Sequence, residues 1–190
     1  RFSFVSAGPR AHGVDVAVPG YTLAPEARLT DIVAEINRSL TFLAGHAGEF
    51  GFDRSRIFVG GWSAGGHLTA AVAGHPAVRG GIPISGIFDL EPIALGELND
   101  KVQLSATEIA TLSPQRNIPD RSPPLRLFVG GDELPELKRQ SAEYAAACSA
   151  RGLSVNLTTL PGHHHFSILN ELASPTGAMT HALVELIASA

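Results

Sequence analysis

The stretch Arg-Ile-Phe-Val-Gly-Gly-Trp-Ser-Ala-Gly-Gly-His at 56–67 constrains this chain more than any other. Ile57, Phe58 and Val59 form a short β-branched and aromatic run, which reads as a buried strand from Arg56 to Gly60. Ala64 to Ala73 is small and Ala/Leu-rich, which reads as a helix. Between them lies Gly61-Trp62-Ser63-Ala64-Gly65, a G-x-S-x-G pattern. A turn this tight is expected to strain the backbone at Ser63 and to leave no room for a Cβ at positions 61 and 65. It lifts the hydroxyl above the C-terminal edge of a sheet, at the start of a helix whose dipole favours developing negative charge. Gly-Ser runs are also ordinary turns. The position between strand and helix is what makes Ser63 a candidate nucleophile.

The rest of the chain alternates strands with helices. Residues 1–12, with Phe2, Phe4 and Val5, read as the end of a helix that Gly13 stops. Val14–Val18 alternates and is β-branched, which predicts a strand, and Pro19-Gly20 breaks it. From Leu29 the apolar residues Ile32, Val33, Ile36, Leu40 and Leu43 recur at helical spacing. Further strands are expected at 78–84, 125–129 and 153–160, and helices at 106–112 and 137–151, with helical sequence to the end. The stretch 85–101 reads as a loop. Such alternation argues for a mainly parallel sheet with helices on both faces, within a single domain over residues 1–190.

A serine nucleophile needs a base within hydrogen-bond reach, and the base needs an acid to fix its tautomer. Parallel sheets place such groups on loops past the C-terminal ends of strands. After the strand 125–129 come Gly130-Gly131-Asp132-Glu133, and after 153–160 come Pro161-Gly162-His163-His164-His165-Phe166. The order serine, acid, histidine, with each group on the same edge, is a strong joint signal. The three histidines also suggest a metal site. Consecutive residues in an extended loop point alternately, however, and no further ligand stands at helical ligand spacing, so neither metal nor cofactor is expected. His67 is expected to be structural, and His12, His46, His75 and His181 to lie on the surface. Asp89 and Glu91 are minor candidates for a pocket wall.

Composition narrows the partners. A hydrophobic fraction of 44%, a charged fraction of 17% and a net charge of -4 describe a globular protein without a basic run. Neither nucleic acid nor an anionic membrane is expected as a partner. No apolar stretch reaches the roughly 18–20 residues that span a bilayer, and no signal peptide is visible. The single cysteine, Cys148, cannot form an internal disulfide and reads as a buried structural thiol, compatible with a reducing, cytoplasmic setting. The chain opens at Arg1 and its only methionine is Met179, so a piece of a longer product is expected.

Several stretches together resemble a known family. Gly61–Leu68 is similar to the nucleophile turn of α/β-hydrolase serine esterases. Tyr21-Thr22-Leu23-Ala24-Pro25-Glu26 resembles a segment of the hormone-sensitive-lipase-like and arylformamidase-like branches. Residues 84–92, Leu112-Ser113-Pro114, Glu136–Ser141 and His164-His165-Phe166 resemble the arylformamidase (kynurenine formamidase) branch, and the likeness runs over about 1–175.

The resemblance implies an α/β-hydrolase fold of which this chain is the C-terminal two-thirds or so. Ser63 matches the nucleophile, and His165, directly before Phe166, matches the base. Glu133 and Asp132 are both placed to be the acid, Glu133 being favoured by its spacing from Glu136. The Ala64 amide is expected as an oxyanion donor. The family's H-G-G oxyanion loop is not in this sequence. By resemblance that loop and the first strands precede Arg1, and one such strand belongs between 14–18 and 57–60, so a gap is expected there. The function implied is hydrolysis of a small ester or aryl formamide through an acyl-enzyme on Ser63, with self-association left open. The alternative is a catalytically impaired scaffold that serves binding or assembly.

Overall fold

The computed structural model of the protein describes residues 3–190. Arg1 and Phe2, which begin the expected N-terminal helix, lie outside the described residues. That helix is present from Ser3 as a 3-10 turn, Ser3–Ser6, leading into α1, Ala7–Ala11, and Gly13 closes it at φ 75°. α2 (Leu29–Gly45) and α3 (Ala47–Phe50) follow, then β1 (Ile57–Trp62), α4 (Ala64–Val72) and β2 (Val78–Ile84). The crossover from β2 carries α5 (Glu91–Ala94), α6 (Asn99–Val102) and α7 (Ala106–Leu112). The stretch expected as a loop thus holds two one-turn helices. β3 (Leu125–Gly130), α8 (Pro135–Ala150) and β4 (Val155–Leu160) come next, and α9 (Asn170–Ala173) and α10 (Ala178–Ala188) end the chain.

The four strands are parallel and stand in sequence order, β1-β2-β3-β4. Right-handed crossovers that step one way across a sheet put their helices on one face. Accordingly α4 and α8 share a face: Ala73, Tyr144 and Cys148 pack with Phe88, Leu125 and Leu127, while Leu40 of α2 packs with Ile57, Val72 and Val78. After β4 the chain turns back, and α9 and α10 cover the other face, where Leu172, Met179, Leu183 and Leu186 meet Ile82, Ile84, Phe128 and Leu160. Alternation along each strand supplies both faces. The pair Gly80-Gly81, which weakens β2 as a sequence signal, has a packing reason. A Cβ on Gly80 would lie 3.0 Å from the Phe58 ring, and one on Gly81 3.0 Å from Leu125, so neighbouring large side chains fill that space.

Val14–Val18 departs from expectation. It forms no strand, and Val16 and Val18 are exposed. A strand exists only through its ladder, and no neighbour pairs with this segment among the described residues. The expected gap between 14–18 and 57–60 thus takes the form of a segment left outside the sheet. β1 is one edge of an unbroken four-stranded sheet.

Candidate active site

The turn between β1 and α4 bears out the strain expected from sequence. Ser63 sits at φ 57°, ψ -116°, a region that a residue with a Cβ rarely adopts, and serves as the N-cap of α4. Its N–H still donates to Ile84 O at 2.9 Å, so the nucleophile candidate remains tied to β2 while the chain reverses. The two flanking glycines differ. A Cβ on Gly61 would lie 2.3 Å from Gly65 O, which only glycine avoids, whereas a Cβ on Gly65 meets nothing within 4 Å. The expectation of a forbidden Cβ holds for position 61 and fails for 65, because position 65 contributes its backbone to the pinch and its own Cβ direction points into open space. Gly66 is the second tight position: its Cβ would lie 2.6 Å from Gly86 Cα, where α4 crosses the end of β2.

The loops after β3 and β4 are joined by their backbones. Gly131 N–H donates to Leu160 O at 2.8 Å, and Asp132 N–H donates to His163 O at 3.0 Å. A Cβ on Gly130 would lie 2.1 Å from that same His163 oxygen, so glycine at the end of β3 lets the two loops meet. The consequence for the two acids is opposite. Asp132 is exposed, while the Glu133 side chain is 0% exposed and turned inward. His165 Nδ1 stands 3.1 Å from both Glu133 carboxylate oxygens, and His165 Nε2 stands 3.1 Å from Ser63 Oγ. Ser63, His165 and Glu133 are therefore brought together, and Asp132 is not. With a carboxylate on Nδ1, that nitrogen carries the proton and Nε2 is free to accept from the serine. The imidazole is 22% exposed, which leaves it open to a reactant.

The other two histidines of the run face elsewhere. His163 Nδ1 meets Ser167 O at 3.3 Å and its Nε2 lies 3.4 Å from Glu171. His164 Nδ1 accepts from Phe166 N–H at 3.2 Å. Among the described residues, no group of three or more His, Cys, Asp or Glu is arranged to hold a metal ion. His67 is buried and its Nε2 donates to Leu112 O at 2.8 Å; burial pushes its pKa down, against the pull of that carbonyl, and keeps it neutral. It ties α4 to the end of α7. Cys148 is buried, and burial pushes its thiol up, away from the reactive thiolate. Asp89 pairs with Arg116 at 3.1 Å, and Glu91 pairs with the same guanidinium, so both acids are engaged in an ion-pair cluster.

Ala64 occupies the first position of α4, where a backbone N–H has no partner within the helix. Trp62 is a residue that sequence reasoning passed over as the variable position of the pattern. Its indole N–H donates to His165 O at 2.7 Å. Its aromatic character beside the serine was the only available signal. Two surface hollows, of about 570 and 670 Å3, are lined by 17–20 with α2 and by 92–101, and neither is lined by Ser63, Glu133 or His165. Among the described residues, no helix is long and apolar enough to cross a membrane.

Several known proteins are similar to this chain. Kynurenine formamidase of Danio rerio is 27% identical over 188 residues, covering 92% of this chain and 63% of that protein. Kynurenine formamidase of Salmo salar is 28% identical over 195 residues, covering 94% and 65%. The chain thus spans less than two thirds of the length of these formamidases. A solved structure from Silicibacter sp. TM1040, provisionally described as a thioesterase, superposes with a TM-score of 0.83 at 27% identity, covering 96% of this chain and 68% of that one. An esterase of Pyrobaculum calidifontis shares the fold at 18% identity, with a TM-score of 0.76 over 89% of this chain and 64% of that one. The family described as the alpha/beta hydrolase fold matches residues 4–169. A match over that length, with helices on both faces of a parallel sheet, shows that the chain belongs to the alpha/beta hydrolase fold family.

Proposed function

We propose that the protein is a serine hydrolase of small carboxylic esters or aryl formamides, acting through an acyl-enzyme on Ser63. The observation that carries this reading is the relay of two 3.1 Å contacts, Ser63 Oγ to His165 Nε2 and His165 Nδ1 to Glu133. Ser63 Oγ attacks the substrate carbonyl as its proton passes to His165 Nε2. The negative charge that develops on the carbonyl oxygen is met by the Ala64 N–H at the positive end of α4. Glu133, buried and unable to leave its partner, holds the imidazolium that forms. His165 then gives the proton to the leaving alcohol or aryl amine, and an acyl- or formyl-serine remains. Water attacks that ester with His165 again as base, releasing the acid or formate and restoring Ser63.

The likeness to two kynurenine formamidases supports the formamide arm, and the esterase likeness in fold is compatible with the ester arm. A substrate panel separates the two: p-nitrophenyl acetate and butyrate against N-formylkynurenine, each with Ser63→Ala as control. The reading expects turnover on at least one class, lost in the alanine variant. Turnover that survives in Ser63→Ala would overturn the mechanism. No turnover on any of them would move the protein to the scaffold reading.

A further inference from the structure

We infer that Trp62 is a positioning residue for His165, its indole fixing both the main chain and the ring of the base. The inference rests on the reading of Ser63 and His165 given above and adds a residue to it. His165 stands on a loop that enters through Gly162 at φ 73° and has no regular structure of its own until Ser167. Its backbone anchor to the acid loop is made two residues earlier, at His163 O. At His165 itself the carbonyl accepts the Trp62 Nε1–H at 2.7 Å. The ring of Trp62 lies 4.5 Å from the imidazole, centroid to centroid, at 39°. Phe166 completes a triangle, 5.3 Å from Trp62 and 5.4 Å from His165, and stays 63% exposed on the outside.

The chain position explains why this matters. Trp62 and Ser63 are consecutive, so the strand end that sets the serine Oγ also sets the histidine carbonyl. Nucleophile and base are referenced to one rigid piece of backbone rather than to two loops. An indole face against the imidazole also favours the cationic form that the reaction creates. Trp62 packs against the core cluster of Ile82, Ile84 and Phe128 as well. A purely space-filling role would be met by phenylalanine and would not need an N–H aimed at residue 165.

Trp62→Phe tests this, since it keeps the apolar ring and removes the donor. The expected result is a folded protein whose kcat falls about ten- to a hundredfold, the range that a displaced catalytic group costs, with KM nearly unchanged. A Trp62→Phe protein with wild-type kcat overturns the inference. A second measurement needs no turnover. Trp62 is the only tryptophan in the chain, and an imidazole 4.5 Å from its ring perturbs its fluorescence. The expected result, at one fixed pH, is a changed emission intensity in His165→Gln relative to the wild type. An emission unchanged in His165→Gln removes the contact and the inference with it. A protein without turnover defeats the hydrolase reading instead, and the fluorescence then decides the contact by itself.

Discussion

Asp132 and Glu133 are adjacent acids on one loop, and the backbone between them separates their fates. The Asp132 N–H is used on His163 O, which leaves its side chain outside and turns the next one in. Glu133→Gln is expected to lower kcat on the order of 10³–10⁴-fold, since an amide cannot hold the imidazole in the required tautomer. Asp132→Asn is expected to stay within about twofold of the wild type, a surface substitution; steady-state kinetics on the same ester decides both. The sequence left this pair open for a physical reason. Both residues follow the strand closely enough, and the choice is made by a contact from another loop 31 residues on. His165 was legible from its place before Phe166, whereas the contribution of Trp62 depends on where that loop lands and has no signature in spacing.

At the scale of elements, the β1–α4 turn was readable because its geometry needs glycine at a defined position. The structure narrows that need to Gly61 and Gly66. Gly61→Ala drives a Cβ into Gly65 O, and the strand or the helix must shift. We expect it to destabilise the protein by about 2 kcal/mol or more, in the range of overpacking. Gly65→Ala meets open space and adds a better helix former, so it is expected to be neutral or slightly stabilising. Urea unfolding of both proteins checks the contrast, and equal destabilisation would contradict it. The strand at Val14–Val18 was misread at this same scale. Its alternation of valines is a true β pattern, but pairing is a property of two segments, and the pattern in one cannot report a missing neighbour.

Across the whole molecule, strand order follows sequence order, so each crossover covers the same face and the functional loops fall side by side at one edge. Alternation of apolar strands and helices carried that much of the fold. What it could not carry are polar ties between distant segments. Glu108 is such a tie: its carboxylate accepts from Arg28 Nη2 at 2.6 Å, Thr30 N–H at 3.2 Å and Ser105 N–H at 3.0 Å. It thereby joins the start of α2 to the β2–β3 crossover. Burial raises its pKa, but the Arg28 hydrogen bond and the Ser105 and Thr30 donors outweigh burial and bring it down to about 2. A carboxylate with a folded pKa below its ordinary 4.5 stabilises the fold fully above about pH 4.5, and the contribution is lost as pH falls toward about 2. The loss is expected to reach up to about 3 kcal/mol. Stability measured between these pH values should fall steeply in the wild type and more gently in Glu108→Gln, which starts lower. Parallel curves would contradict it.

The central claim is that Ser63 is a nucleophile activated by His165. A fluorophosphonate probe tests it most directly, with the labelled peptide identified by mass spectrometry. The expected result is stoichiometric labelling at Ser63, absent in Ser63→Ala and strongly slowed in His165→Gln. Labelling at another residue, or a folded protein that stays unlabelled, would contradict it.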